Sequence, residues 1–541
     1  VAVQDPDDSQ RRAAGAKLFE RFFDSTELDV VSILPLALPA ILPPALADTN
    51  DEALAAGVKA LNAIVKKCKK EELAPYLSEV RSSILTLISN PETGKEDPTK
   101  LLPGLCKHGG LEPLYPIYQH GLMFGSAEAR ELAAKGLGEL VDHTSEAALK
   151  PFVVKITGPL IRIVGDRFPS TVKKAIVDTL KSLLLRGGAT LKPFLPQLQT
   201  TYVKCLADPS EAVRLKAAES LGTLVRLAAR TEPLIKELTV GVTKNEDPAV
   251  RLAMCIALAE VLLNVPTATS EATQDQLVET LQPRALGDEP TSEDERAAAA
   301  WAYALVLRRH RPVEAAVAAF KDDVAAALGS SATSEQRHGA AWTLAGACWC
   351  QRPQLEKPAE ELVACMSKLA ESSLPKLTSD GDAAVLSAAT ALLAGVAQLN
   401  HEASLPWETL AQPVKQVAAV IKEGKIPPAA MLVILRAVRH FGTSAAAAGK
   451  ATSARAQLAA AVSVRGTEKA GEVTEAAELA LAGLLGGNGD ATTEAAMKAA
   501  AEKLAGSLDD KVAAKTLSDF ALKRLKGLSQ FAIDCGFVWD F

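Results

Sequence analysis

The sequence predicts an all-α protein built as a superhelical solenoid of stacked, antiparallel helix pairs. Composition is the first reason: of 541 residues 48% are hydrophobic but only 4% aromatic, so the core has to be made of Ala, Leu and Val, which suits closely packed helices. Punctuation is the second, because most of the 30 prolines fall at helix starts or in turns, where a missing N–H does little harm. Self-similarity is the third. The segment Leu195 to Val225 reads as an apolar helix opened by Leu-Pro, an Asp-Pro turn and a second helix opened by Val-Arg. Val213-Arg214 then recurs 37 residues later as Val250-Arg251, with Asn245 in the place of Asp208.

The same places are filled upstream by Asp166, Pro169 and Val172-Lys173, and more weakly by Asp48 with Leu54. Units of this kind resemble the HEAT repeat, which gives the fold class: a HEAT-repeat (armadillo-type) α-α solenoid, with about 40 to 47 residues per pair. The turn Asp is expected to cap the second helix and the Arg after it to reach the Asp of a neighbouring repeat. That assigns Arg214 and Arg251 to structure. Ala217, Ala218 and Gly222 permit close approach, while Leu215, Leu221 and Leu224 fill the shared core.

In chain order, residues 1–89 form HEAT repeats. Within them the uncharged run Val30 to Ala47 imitates a membrane span, but Pro35, Pro39, Pro43 and Pro44 and the bordering Asp29 and Asp48 predict a buried, kinked helix. Residues 90–104, rich in Pro and Gly, read as an inter-repeat loop. Repeats resume over 105–286. An acidic stretch from Gly287 then precedes a helix expected over Arg296 to Arg309, and repeats continue over 287–442. Residues 443–541 are Ala- and Gly-rich, and there degenerate helical repeats and a tail are expected.

The eight cysteines, among them Cys68, Cys205, Cys255 and Cys365, sit in apolar helical positions and read as buried free thiols of a reducing compartment. Cys348 and Cys350 lack a second ligand pair at zinc spacing, so no metal is expected. Neither is a cofactor or an enzyme activity, because no phosphate loop, nucleophile elbow or dinucleotide fingerprint is present. A net charge of −6 argues against broad nucleic-acid binding, and no sequence-specific nucleic-acid or membrane partner is expected. The basic runs Lys66 to Lys70 and Arg308 to Arg311 lie at helix ends, where cations suit the dipole.

One position stands apart. In the run Lys155 to Ser170, Ile156, Leu160, Ile163 and Val164 form one helical face. At about 100° per residue, Arg162 points roughly 145° from the centre of that face, toward solvent or a partner. Lys155 falls on nearly the same side, and Gly158 between them leaves a shallow surface.

From Lys150 to about Gly222, the segments ITGPLIRIVGDRF and LKPFLPQLQTT closely resemble the C-terminal region of the general control non-derepressible protein one family. Flanking segments at Leu61, Leu102 and Glu128 resemble it in the same order, and the likeness covers residues 1 to about 440. The resemblance implies a large cytoplasmic HEAT scaffold that activates the kinase phosphorylating translation initiation factor two on its alpha subunit. It assigns Arg162, with Lys155 beside it, to contact with the RWD domain of that kinase during amino-acid starvation. Ribosome association is expected mainly through family segments absent from this chain. The alternative is a generic HEAT adaptor, such as a cargo or cytoskeletal scaffold.

Overall fold

The computed structural model describes residues 2–89, 101–165, 168–287, 289, 291–349, 360–399, 410–447, 452–465, 471–485, 501–505, 507–508 and 517. Among them there is no β-strand. The sequence-predicted loop at 90–104 and tail at 443–541 lie largely outside these residues, as do Asp166, Arg167 and Cys350. Contacts divide the chain into two compact units, Val1–Thr231 and Glu232–Phe541.

In the first unit the main helices are α1 (Ser9–Ser25), α2 (Leu34–Leu46), α3 (Asp51–Lys67), α4 (Leu77–Ser89), α5 (Leu111–Phe124), α6 (Ala127–Asp142), α7 (Val153–Val164), α8 (Ser170–Gly187), α9 (Leu195–Cys205) and α10 (Glu211–Val225). Helices α5, α7 and α9 open successive pairs and lie side by side in one row. Their partners α6, α8 and α10 make a second row.

The second unit repeats the arrangement. Its helices are α11 (Glu232–Lys244), α12 (Pro248–Asn264), α13 (Glu271–Ala285), α14 (Glu293–Leu305), α15 (Val313–Ala319), α16 (Ser334–Trp349), α17 (Glu360–Leu377), α18 (Ala383–Leu399), α19 (Ala411–Glu423), α20 (Pro428–Ala447), α21 (Thr452–Arg465) and α22 (Glu472–Leu485). Even-numbered helices from α12 to α22 pack each on the next. Small residues make that approach possible: a Cβ added to Gly339 on α16 would lie 1.6 Å from the Ala285 carbonyl oxygen.

The proline-rich run folds as expected into α2, with Pro39, Pro43 and Pro44 inside the helix and Leu38, Ile41, Leu42 and Leu46 buried. None of the described helices is long and apolar enough to cross a membrane. The acidic stretch differs from expectation. Its helix begins at Glu293, because the Ser292 hydroxyl caps it by accepting from Glu295 N–H at 3.2 Å, and a wider π turn then carries Val306–His310. Within that turn Arg308 is buried, so its charge is not at the surface.

Second helices α1, α6, α8, α10, α12, α14 and α16 carry a cation at the fourth position after the N-cap, and several of these cations link one pair to the next. A side chain at that position leans back over the first turn, toward the carbonyls that end the preceding helix, where a cation is favoured. Arg214 Nη1 donates to Asp208 O and Pro209 O, both at 3.0 Å. Arg251 Nη1 donates to Asn245 O and Glu246 O, and its Nε reaches Glu295 of the next pair at 3.1 Å. The same link to the following pair joins Arg12 to Asp48 at 2.6 Å, Lys173 to Asp208 at 2.8 Å and Arg337 to Asp380 at 3.0 Å.

Three details correct the sequence reading. Asp208 does not cap α10: its Oδ1 accepts from Ser210 N–H at 3.0 Å, closing the turn two residues earlier, while Oδ2 takes Lys173. Leu215 is half-exposed, and Val213 occupies the core in its place. Cys205 and Cys255 are buried, as expected, but Cys68 and Cys365 are only part-buried.

Candidate partner-binding site

Helix α7 has the predicted amphipathic face. Ile156, Leu160, Ile163 and Val164 are all buried, joined by Val153 and Thr157. Their burial turns Lys155, Gly158 and Arg162 outward, and all three are exposed. Arg162 stands in the last turn, where its charge complements the helix dipole. Among the described residues neither Arg162 nor Lys155 makes an ion pair. Nothing lies within 4 Å of a Cβ placed on Gly158, and Val154 beside it is 60% exposed. The result is a bare ridge with two cations and an apolar side chain in water.

The ridge is held by a contact the sequence reading did not find. Pro159, inside α7, has no N–H to offer the Lys155 carbonyl four residues back. The Tyr115 hydroxyl, on α5, supplies that hydrogen bond at 2.6 Å. Burial pushes the Tyr115 phenol up to about 12, which keeps it a donor at any physiological pH. The Tyr115 ring meets Phe152 edge-on at 5.7 Å, and the Lys155 ammonium lies 5.2 Å from the centre of the same Phe152 ring. Proline at the fourth position after Lys155 was the available signal: it announced an orphan carbonyl, though not its donor.

The family-like motif residues around the ridge do structural work. Phe168 lies under the Arg130 guanidinium, 4.5 Å from ring centre to Cζ. Arg130 in turn donates to Leu122 O, to Met123 O at 2.8 Å and to Gly125 O at 2.9 Å. These bonds close the end of α5. Thr200 and Thr201 hydroxyls bond back to the carbonyls of Pro196 and Gln197 at 3.0 and 2.8 Å. The buried thiols are not set for chemistry either, since burial pushes Cys255 up to about 12 and Cys205 to about 11, away from reactive thiolate.

Stacked helix pairs, a cation ladder through their turns and an exposed ridge on the first-helix row define a HEAT-repeat protein of the interaction-surface kind. Residues 198–228 match the general HEAT repeat family, and residues 2–108 match the family described as stalled ribosome sensor GCN1-like, HEAT repeats. Protein ILITYHIA of Arabidopsis thaliana is 40% identical over 280 residues, which are 52% of this chain and 10% of that protein. The stalled ribosome sensor GCN1 of Mus musculus is 38% identical over 281 residues, again 52% and 10%. The eIF-2-alpha kinase activator GCN1 of Saccharomyces cerevisiae is 36% identical over 283 residues, with the same shares. This chain carries a region of the GCN1 family, and it spans about 10% of the length of the curated relatives it matches.

Proposed function

We propose that this chain is a non-catalytic scaffold of cytoplasmic translational control. Its α7 ridge binds the RWD domain of the kinase that phosphorylates initiation factor two alpha, and promotes activation of that kinase on ribosomes during amino-acid starvation. The observation that carries this reading is Arg162: a cation with no ion pair among the described residues, turned out of a fully packed helix onto a surface left open at Gly158. The helix dipole favours a cation at this place, but solenoid stacking gives its side chain no contact to make, whereas docking would. The relatives' names, kinase activator and stalled ribosome sensor, support the same direction. A scaffold is further supported by the polar side chains elsewhere, whose hydrogen bonds close turns and link repeats.

A partner-buried, hydrogen-bonded charge is worth roughly 2–5 kcal/mol of binding, while a solvated surface Arg changes stability by no more than about 0.5 kcal/mol on substitution. Arg162→Glu should therefore abolish binding of the isolated RWD domain in calorimetric titration and leave helix content and melting temperature near wild type. Undiminished binding by the correctly folded variant would remove Arg162 from the site, and binding of a cargo or tubulin in its place would favour a generic adaptor.

A further inference from the structure

Arg296 holds the ladder position on α14, the fourth after the Ser292 N-cap, and it differs from the other rungs. Arg12, Lys173 and Arg337 each reach an acid of the following pair: Asp48, Asp208 and Asp380. Those acids share one place, two residues before the N-caps Asn50, Ser210 and Asp382 of the next second helix. For Arg296 the next second helix is α16. Its N-cap is Thr333, whose carbonyl accepts from Arg337 N–H and whose hydroxyl accepts from Gln336 N–H. Two residues before Thr333 stands Ser331, not an acid.

Arg296 accordingly makes no ion pair among the described residues, and its Nη2 donates to Thr291 O at 3.1 Å. Yet it is only 5% exposed, whereas Arg12, Lys173, Arg251 and Arg337 are part-buried. Burial pushes the Arg296 guanidinium below its ordinary value, while hydrogen bonds to Asp48 and Glu295 raise Arg12 and Arg251 above theirs. Glu335, Glu293 and Asp382 act on Arg296 only from beyond ion-pair distance. A buried charge without a counter-charge in contact is costly.

Three buried polar atoms at this place have no hydrogen-bond partner among the described residues: Arg296 Nε, Thr291 Oγ1 and His338 Nδ1. The Arg296 guanidinium reaches Thr291, and Arg296 Cγ lies 3.2 Å from a Cβ placed on Gly339, the neighbour of His338. His338 Nε2 accepts from Trp342 Nε1–H, so the proton of the neutral ring is on Nδ1. Arg296 Nε and His338 Nδ1 are therefore both donors, and the Thr291 hydroxyl can be a third. A water would accept two of these bonds but must also place two hydrogens of its own, for which only the Thr291 oxygen among these atoms is open. An anion accepts all three. The end of α13 packs closely on this site, Gly287 against Gln336 and Gly339 against Ala285, which favours a single atom over an oxyanion.

We propose that Arg296 Nε, His338 Nδ1 and Thr291 Oγ1 bind a chloride ion, which does for this rung what a carboxylate does for the others and ties α14 to α16. The joint between these two pairs then strengthens with chloride concentration.

The test follows melting of the full chain in sodium chloride and in sodium gluconate at one ionic strength, which holds screening constant. Wild type should melt about 2 °C higher in chloride, and it should broaden the chloride NMR line. Ser331→Asp returns the carboxylate to the ladder: it should raise the melting temperature in gluconate and abolish both chloride effects. Arg296→Leu should abolish them too. Equal melting of wild type in the two salts would leave the three atoms to water and overturn the proposal. A chloride gain or a line broadening that persisted unchanged in Ser331→Asp would be a general salt effect and would overturn it as well.

Discussion

At the scale of single residues, two ladder arginines with the same sequence position differ in what they hold. Arg251 bonds to two turn carbonyls and also to Glu295, whose side chain is 1% exposed. Arg214 bonds to turn carbonyls alone. Removing Arg251 strands a buried carboxylate, which costs about 3 kcal/mol, while removing Arg214 forfeits ordinary hydrogen bonds at about 1 kcal/mol. Urea unfolding should therefore rank Arg251→Ala well below Arg214→Ala in stability, and equal losses would contradict the role given to Glu295. His338 makes a second prediction. Burial, with Arg296 nearby, pushes its imidazole down to about 4, against about 6.5 when unfolded. Between those values the unfolded chain binds a proton that the folded one refuses. This contribution is full above about pH 6.5 and declines as pH falls toward about 4. The melting temperature should be lower at pH 5.5 than at pH 7, and His338→Gln should lose much of that difference. His338→Gln keeps an acceptor for the Trp342 Nε1–H, which His338 Nε2 now takes at 3.1 Å.

At the scale of elements, two helical glycines look alike in sequence and are opposite in space. Gly339 sits where α16 meets the end of α13, and any Cβ there collides with the Ala285 backbone. Gly158 faces open solvent on α7. Alanine is the better helix former by roughly 0.5–1 kcal/mol, so Gly158→Ala should raise the melting temperature slightly. Overpacking costs about 1–3 kcal/mol and more against rigid backbone, so Gly339→Ala should lower it markedly. Thermal melts of the two variants decide the point. Gly158→Phe adds a test of the ridge: it should leave stability nearly unchanged and block RWD binding, because only a docked surface would meet the ring.

At the scale of the whole molecule, repeat stacking makes stability a sum of local terms, and the contacts divide at Thr231 and Glu232. The Tyr115 anchor and the α7 ridge lie within the first unit. Residues 1–231 expressed alone should then give a helical circular-dichroism spectrum with a cooperative melt, and should keep RWD binding. A molten or aggregated fragment would mean that the first unit depends on the rest of the chain.

The sequence by itself determined the helix pairs, because Leu-Pro openings, Asp turns and Val-Arg starts are local signals read over a few residues. It also determined which way Arg162 points, since four apolar residues at helical spacing leave one side for the core. It did not reveal that Asp208 closes a turn rather than capping, that Leu215 yields the core to Val213, or that α14 starts at Glu293. Each of those depends on a choice among neighbouring polar or apolar residues of similar local propensity, made by whichever fits the adjoining repeat. Only the tertiary structure supplied the Tyr115 hydroxyl for the Lys155 carbonyl, because donor and acceptor are 40 residues apart on different helices. The distinction between Gly158 and Gly339 was likewise decided in space: a glycine's Cβ is missing in both, and only packing says whether another backbone fills the gap.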